Sequence, residues 1–271
     1  MAAVFSFVVL PGWLLASSLP AGLQAVSAAD NLEQAVSAFH KGMAARGKPD
    51  AVAYFRQAAG GFDELRRHGA RNAALFLDLG NASLLAGDLP QAILAYRRGL
   101  RLAPNDRHLR ANLAYARDQV AYPSPDHLGR PPIDSWPPWL PRPTPGFTWV
   151  LLGCAYVVGC LLLTRWWMTR NGRLMFAGTG TCMWAAVLGA VLVVQAWRNH
   201  REEQHPLVVI ATDDVLLRKG NGRSYPPRYD TAVNRGVEAR LRYARGEWLQ
   251  IELAGGELGW VPQSACLVEV P

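Results

Sequence analysis

Between residues 30 and 121 apolar residues and alanines recur at spacings of three and four, with Gly and Pro falling between the segments and no strict alternation of apolar and polar positions. That period belongs to helices with one buried face. It predicts five of them: Leu32 to Ala45, Asp50 to His68, Ala73 to Ala86, Pro90 to Leu102 and Asp106 to Val120. The period then breaks at residues 122–145, "YPSPDHLGRPPIDSWPPWLPRPTP", where proline is dense enough to exclude helix and sheet and to predict an extended tether. Trp136 and Trp139 in this tether suit the headgroup level of a bilayer. Residues 146–164 and 174–197 follow as two uncharged apolar runs, each near the roughly 20 helical residues that cross a hydrocarbon core. The linker between them, 165–173, holds Arg165, Arg170 and Arg173 and no acid, so it is expected in the cytoplasm, with both flanking domains outside.

From residue 206 to 271 the period changes to two. "VEARLRYA" (Val237 to Ala244) and "LQIEL" (Leu249 to Leu253) alternate, and "LVVIA", "VLLR" and "GWVP" are short apolar runs between Gly, Asn and Pro clusters. A small half-buried sheet, closed into a barrel, is expected. At the other end, residues 1–28 are apolar and then small, with Val26 and Ala28 placed as at a signal-peptidase site, which predicts a signal peptide or N-terminal anchor. The resulting expectation is a multi-domain membrane protein: a helical domain at 30–121, a tether, two transmembrane helices and an all-β domain. Tether and spans are expected to keep the two soluble domains apart.

The stretch "GNASLLAGDLPQAILAYRRGLRLAPND" (Gly80 to Asp106) resembles a tetratricopeptide repeat. Gly80 and Ala92 fill the small places where paired helices cross, Leu79 and Tyr96 the large core places, Gly87 the turn, and Pro104 ends the second helix. Upstream, Ala51, Phe55 and Ala58 stand where Ala92, Tyr96 and Gly99 stand later, as a degenerate copy, and "RHLRANLAYARDQV" reads as a closing helix. So short an array buries little core of its own. Its inner surface is lined by Leu77, Asn81, Leu84 and Leu85, which makes these four the candidate partner-binding residues. Asn81 is equally readable as a residue that helices of this kind tolerate.

The C-terminal sheet resembles the bacterial SH3-like domain through Leu217, Arg218, Gly220, Trp248, Leu249, Ile251, Gly259, Trp260 and Val261, with the longer loop "GNGRSYPPRYDTAVNRG" where that family has a short one. Tyr225, Trp248 and Trp260 are candidates for an aromatic groove that takes peptide or wall glycopeptide. The alternative is that the two tryptophans close the ends of a small core.

Composition narrows the chemistry. Half of the 271 residues are hydrophobic, more than an ordinary soluble domain needs. The net charge of +7 rests on scattered arginines, not the basic stripe that nucleic acid calls for, and no nucleic-acid partner is expected. Cys154, Cys160 and Cys182 lie in the apolar runs and Cys266 lies alone, so no disulfide framework or metal spacing arises. The six histidines are dispersed, and HExxH, GxSxG and P-loop patterns are absent; no enzyme activity, cofactor or metal is expected.

Taken in order, these segments resemble the BatE-type proteins of bacterial aerotolerance operons, with "LGNASLLAGDLPQAILAYRRGLRLAPND" and "NLAYAR" carrying the likeness. The resemblance implies an inner-membrane accessory protein, periplasmic in its soluble domains, working with von Willebrand-type membrane partners and a MoxR-type ATPase. The expected function is a membrane-anchored protein-protein interaction scaffold. The alternative is a sensor that binds peptidoglycan through the SH3-like barrel.

Overall fold

A computed structural model describes residues 21–123, 129–132 and 144–269. The segment 1–20, and Trp136 and Trp139 of the tether, lie outside the described residues. Five helices open the described chain: α1 (Ala21–Ala44), α2 (Ala51–Arg67), α3 (Ala73–Leu85), α4 (Leu89–Leu102) and α5 (Arg107–Asp118). The residues expected to be the end of a signal segment, 21–28, are the first two turns of α1.

Local chemistry sets these boundaries. The side chain of Asn72 accepts from Leu75 N at 2.6 Å and starts α3. Asp88 accepts from Gln91 N at 3.2 Å ahead of Pro90 in the first turn of α4, and Asp106 accepts from His108 N and Leu109 N to start α5. Each cap satisfies amides that a helix N-terminus leaves open. Gly87, at φ +82°, makes the turn between α3 and α4, a conformation that costs glycine little.

Each helix packs on the next, and α5 also reaches α3. A Cβ at Gly80 would run into the Tyr96 ring, and one at Gly42 would lie 2.7 Å from the Phe55 ring. The two crossings therefore use the same device, a glycine on one helix under an aromatic ring of the next. Ala92, Tyr96 and Ala58 are fully buried, and Ala51 and Phe55 nearly so.

Helices α6 (Pro145–Thr169) and α7 (Gly172–Gln204) form a hairpin, joined at Arg170 and Asn171. Both are long and apolar enough to cross a membrane, and only 17% of each apolar window is buried. The expected nine-residue loop shrinks to this turn because "RWWMT" contains no Gly or Pro and continues α6, with Arg170 closing it in the left-handed region at φ 53°. The charged connector after Trp197 is likewise helical and belongs to α7. Exposed aromatics mark both ends: Trp149 and Trp167 on α6, Phe176 and Trp197 on α7. At about 1.5 Å per residue the pairs are roughly 27 and 32 Å apart, close to the roughly 30 Å of a hydrocarbon core.

The remaining chain makes one antiparallel sheet in the order β4-β3-β2-β1-β5. The strands are β1 (Leu207–Ile210), β2 (Glu238–Arg245), β3 (Trp248–Leu253), β4 (Leu258–Pro262) and β5 (Cys266–Val268). The expected closed barrel is not formed: the sheet stays open. Residues 211–236 contribute isolated bridges, Val215 to Val233 and Arg218 to both Pro227 and Trp260. The physical reason is the Gly- and Pro-rich loop in this run, whose prolines lack the amide that a continuous ladder requires.

The largest departure from expectation is that the helical unit and the sheet share one core. Leu89, Ile93, Leu109, Leu113 and Val120 of the helical unit lie in a single buried cluster with Val208, Ile210, Leu217, Val237 and Ile251. Gly236 (φ +90°) sits at the seam, where a Cβ would meet Val120 at 2.8 Å and Ile93 and Leu89 at 3.3 Å. The tether takes part as well. Gly129 is buried against Val237, and just ahead of the tether Ala121 O accepts from Asn234 Nδ2 at 2.8 Å. The two domains thus form one body at the free ends of the α6–α7 hairpin.

Candidate functional site

On β3 the residues Leu249, Ile251 and Leu253 face the core, so Trp248, Gln250 and Glu252 face outward. On β4 the inward residues are Gly259 and Val261, which leaves Leu258, Trp260 and Pro262 outside. Directly paired residues share a face of a sheet. One rank therefore crosses the outer face through successive pairings: Tyr243 with Gln250, Gln250 with Trp260, Trp260 with Arg218, and Arg218 with Pro227.

The rings of Tyr243 and Trp260 meet edge to face at 6.2 Å, a favoured aromatic geometry. Trp248 stands beside Pro262, two residues along. Arg218 Nη1 donates to Tyr225 O at 2.7 Å and to Arg223 O at 3.0 Å. These bonds hold the 223–225 loop at the far end of the rank, where the Tyr225 ring covers Gly220. Trp248 and Trp260 are thus half-buried residues of an outer aromatic strip. Tyr243, more exposed than either at 58%, completes the strip and was not among the residues singled out from sequence.

The leucine face of the helices is placed differently. Leu77 and Leu84 are half-buried against the core that the sheet completes, and Leu85 packs with Ala51, Phe55 and Ala86. Part of the neighbour that this face calls for is therefore supplied within the chain. Asn81 Oδ1 accepts from Tyr96 Oη at 2.9 Å and from Asn112 Nδ2 at 2.7 Å, tying α3 to α4 and α5. Burial pushes the Tyr96 phenol well above its ordinary range. Between Leu84 and Gln119 of the helical unit and Asp213, Asn234 and Arg235 of the sheet domain lies an open cleft of about 430 Å³.

The strongest electrostatics lie at the seam. Glu238, at the start of β2, accepts from Arg117 in bidentate fashion at 2.6 and 3.0 Å, with Arg97 at 3.3 Å. Glu269 pairs with Arg101 at 2.9 Å and lies 3.7 Å from Arg98. Both carboxylates are buried, and a carboxylate taken out of water is costly unless it is paired and hydrogen-bonded in this way. Burial also pushes the Tyr122 phenol up to about 12, with the Glu238 charge as a second cause. Sequence reading missed this cluster. Its signal was present: α4 carries Arg97, Arg98 and Arg101 and no acid to pair them within the helix.

Among the described residues no group of three or more His, Cys, Asp or Glu side chains is placed to hold a metal ion. Burial pushes the Cys266 thiol up to about 12, which keeps it protonated and a poor nucleophile. No family model matches the chain, and no curated protein matches it.

Proposed function

We propose that the chain is a membrane-anchored interaction scaffold of the BatE type. The α6–α7 hairpin is its anchor, and the helical unit and sheet, fused at one seam, are its recognition body. The observation that carries this reading is the hairpin itself, two long apolar helices whose side chains are largely open to the outside, with aromatic residues at both ends and the folded body at its two free ends. Arg165, Arg170 and Arg173 around the turn support a cytoplasmic turn, hence a body facing the periplasm of a bacterial inner membrane. The repeated glycine-under-ring crossings at Gly42 and Gly80 support a tetratricopeptide-type helical unit, and the alternation in β3 and β4 supports an SH3-like sheet that binds through its outer face. The partners of this reading are membrane proteins, with von Willebrand-type proteins and a MoxR-type ATPase as the expected class. Alkaline phosphatase fused after Pro271 should be active, whereas activity of a cytoplasmic reporter fused there would overturn the topology.

A second reading, a peptidoglycan sensor, draws on the Tyr243–Trp260 strip, since exposed aromatic rings can stack on wall glycopeptide. Sedimentation of the reconstituted protein with sacculi would favour it over the scaffold.

A further inference from the structure

The outer face of the sheet does not end at β4. Arg218 N donates to Trp260 O and Trp260 N to Arg218 O, both at 2.9 Å. Beyond them Lys219 N donates to Pro226 O at 3.1 Å, and Arg228 N to Leu217 O at 2.7 Å. Residues 217–219 and 226–228 therefore carry the face onward as a short ribbon held by main-chain bonds, with Arg218 bracing its loop through Arg223 O and Tyr225 O.

Charge is uneven along this face. At the β2–β3 end Arg242 is paired with Glu252, and Arg245 has the exposed Glu247 two residues away, so no surplus gathers there. At the other end Arg218, Lys219, Arg223 and Arg228 follow one another with no acid between them, and Asp230 comes next. Among the described residues none of these four cations has a carboxylate within ion-pair distance. Lys219, Arg223 and Arg228 are exposed. Such a group sets up a positive field over roughly a Debye length, ~8 Å at physiological salt.

Between the two ends the rank from Tyr243 through Gln250, Trp260 and Arg218 to Pro227 crosses four pairings. At ~4.8 Å each these span about 19 Å, the length of about six residues of extended chain. The crossed rings of Tyr243 and Trp260 make a notch and not a flat platform, a shape that suits a side chain better than a sugar ring. Gln250, half-buried beside the notch, offers a donor and an acceptor to a peptide main chain.

We propose that this face takes an extended acidic segment of a partner protein. Its carboxylates meet Arg218, and a proline or apolar side chain enters the Tyr243–Trp260 notch. Lys219, Arg223 and Arg228 supply the field that draws the segment in and sets its direction along the rank. This rests on the reading of the chain as a scaffold that binds through the outer face of its sheet.

The test is fluorescence anisotropy of the full chain in a non-ionic detergent. One labelled hexapeptide carries two glutamates at one end and a proline and a tyrosine at the other; a second has lysines in place of the glutamates. The acidic peptide should bind about tenfold more tightly at low salt, the size expected from a few exposed charge pairs, and the gap should close as salt rises. Lys219→Glu combined with Arg223→Glu should remove that preference. Neither side chain makes a bond among the described residues, so amide protection of β1 should stay as in the unaltered chain. Tyr243→Ala should weaken both peptides alike. Equal or reversed affinity for the two peptides, or a preference that survives the double substitution, overturns the proposal and leaves the outer face as a binding surface of another kind. Sedimentation with peptidoglycan sacculi in the absence of acidic-peptide binding would assign the strip to the cell wall and also overturn it. If neither the peptides nor sacculi bind, the proposal falls together with the outer-face reading.

Discussion

The seam between the helical unit and the sheet and the surface of the α6–α7 hairpin are built from the same residue types and put them to opposite use. At the seam Ile93, Val208 and Val237 are fully buried, and glutamate–arginine pairs rim the apolar contact. On the hairpin, Trp149, Leu161 and Met168 are 62%, 65% and 81% exposed, with no such rim along the apolar windows. The difference shows that apolar content does not locate a core; it is the surroundings on the far side of each side chain that decide. At the seam those surroundings are other side chains, packed closely enough that only glycine fits at position 236. On the hairpin no such side chains are packed against them, and under the proposed membrane reading a solvent as apolar as the residues themselves would take that place.

The comparison can be broken most sharply at the seam. Replacing Ile93 by Ala removes a fully buried side chain from the shared core and should cost about 2–5 kcal/mol. Because the core is continuous, helical and sheet signals should fall together in one thermal transition. Two separated transitions, with only the helical one shifted, would show that the units fold independently.

Glu238→Gln should come next, at about 1–2 kcal/mol. The carboxylate is buried and held by two arginines, but both arginines are a quarter to a third exposed, so water screens part of the loss. Chemical denaturation at low and high salt checks this, and an unchanged midpoint would mean that the pairs only decorate the seam.

Tyr96→Phe removes one donor to Asn81 while Asn112 still satisfies that oxygen, for about 0.5–1.5 kcal/mol. It also carries a pH signature. The Tyr96 and Tyr122 phenols are both raised by burial. Below the ordinary tyrosine value near ~10 both folded and unfolded chains keep these protons, and the two groups leave stability independent of pH. Above it the unfolded chain releases them first, so stability should decline as pH rises from there toward the folded values. Denaturation midpoints above pH ~10 should show this decline, with a shallower slope in the Phe variant.

How much of this was legible depended on range. Asp106 could be read as a helix start and Gly87 as a turn, because each acts on amides within a few residues. The helices of the two apolar runs continue past residues 164 and 197, where charge begins, because charge alone, without Gly or Pro, does not stop a helix. Trp248 and Trp260 could be found from the alternation of β3 and β4. Tyr243 could not: counted from Val237 it has the parity of the inward residues Ala239 and Leu241, and only the irregularity between Leu241 and Tyr243 turns it outward. The seam joins Arg117 to a glutamate 121 residues later. No local pattern encodes that pairing.

The smallest effect is expected on the hairpin and sharpens the contrast most economically. Leu161→Ala deletes as much side chain as many damaging core substitutions, yet Leu161 is 65% exposed on α6. If its surroundings are lipid or detergent, the leucine is as well solvated in the separated helices as in the packed hairpin, so little free energy distinguishes the two states. No closed cavity forms either, since the surrounding chains fill the space. The change should therefore stay within about 0.5 kcal/mol, several-fold below Ile93→Ala, when both variants are unfolded in the same detergent. A loss as large as that of Ile93→Ala would mean that this face of α6 is covered by protein. The exposed apolar surface of the hairpin would then be an interface within an assembly and not its boundary with lipid.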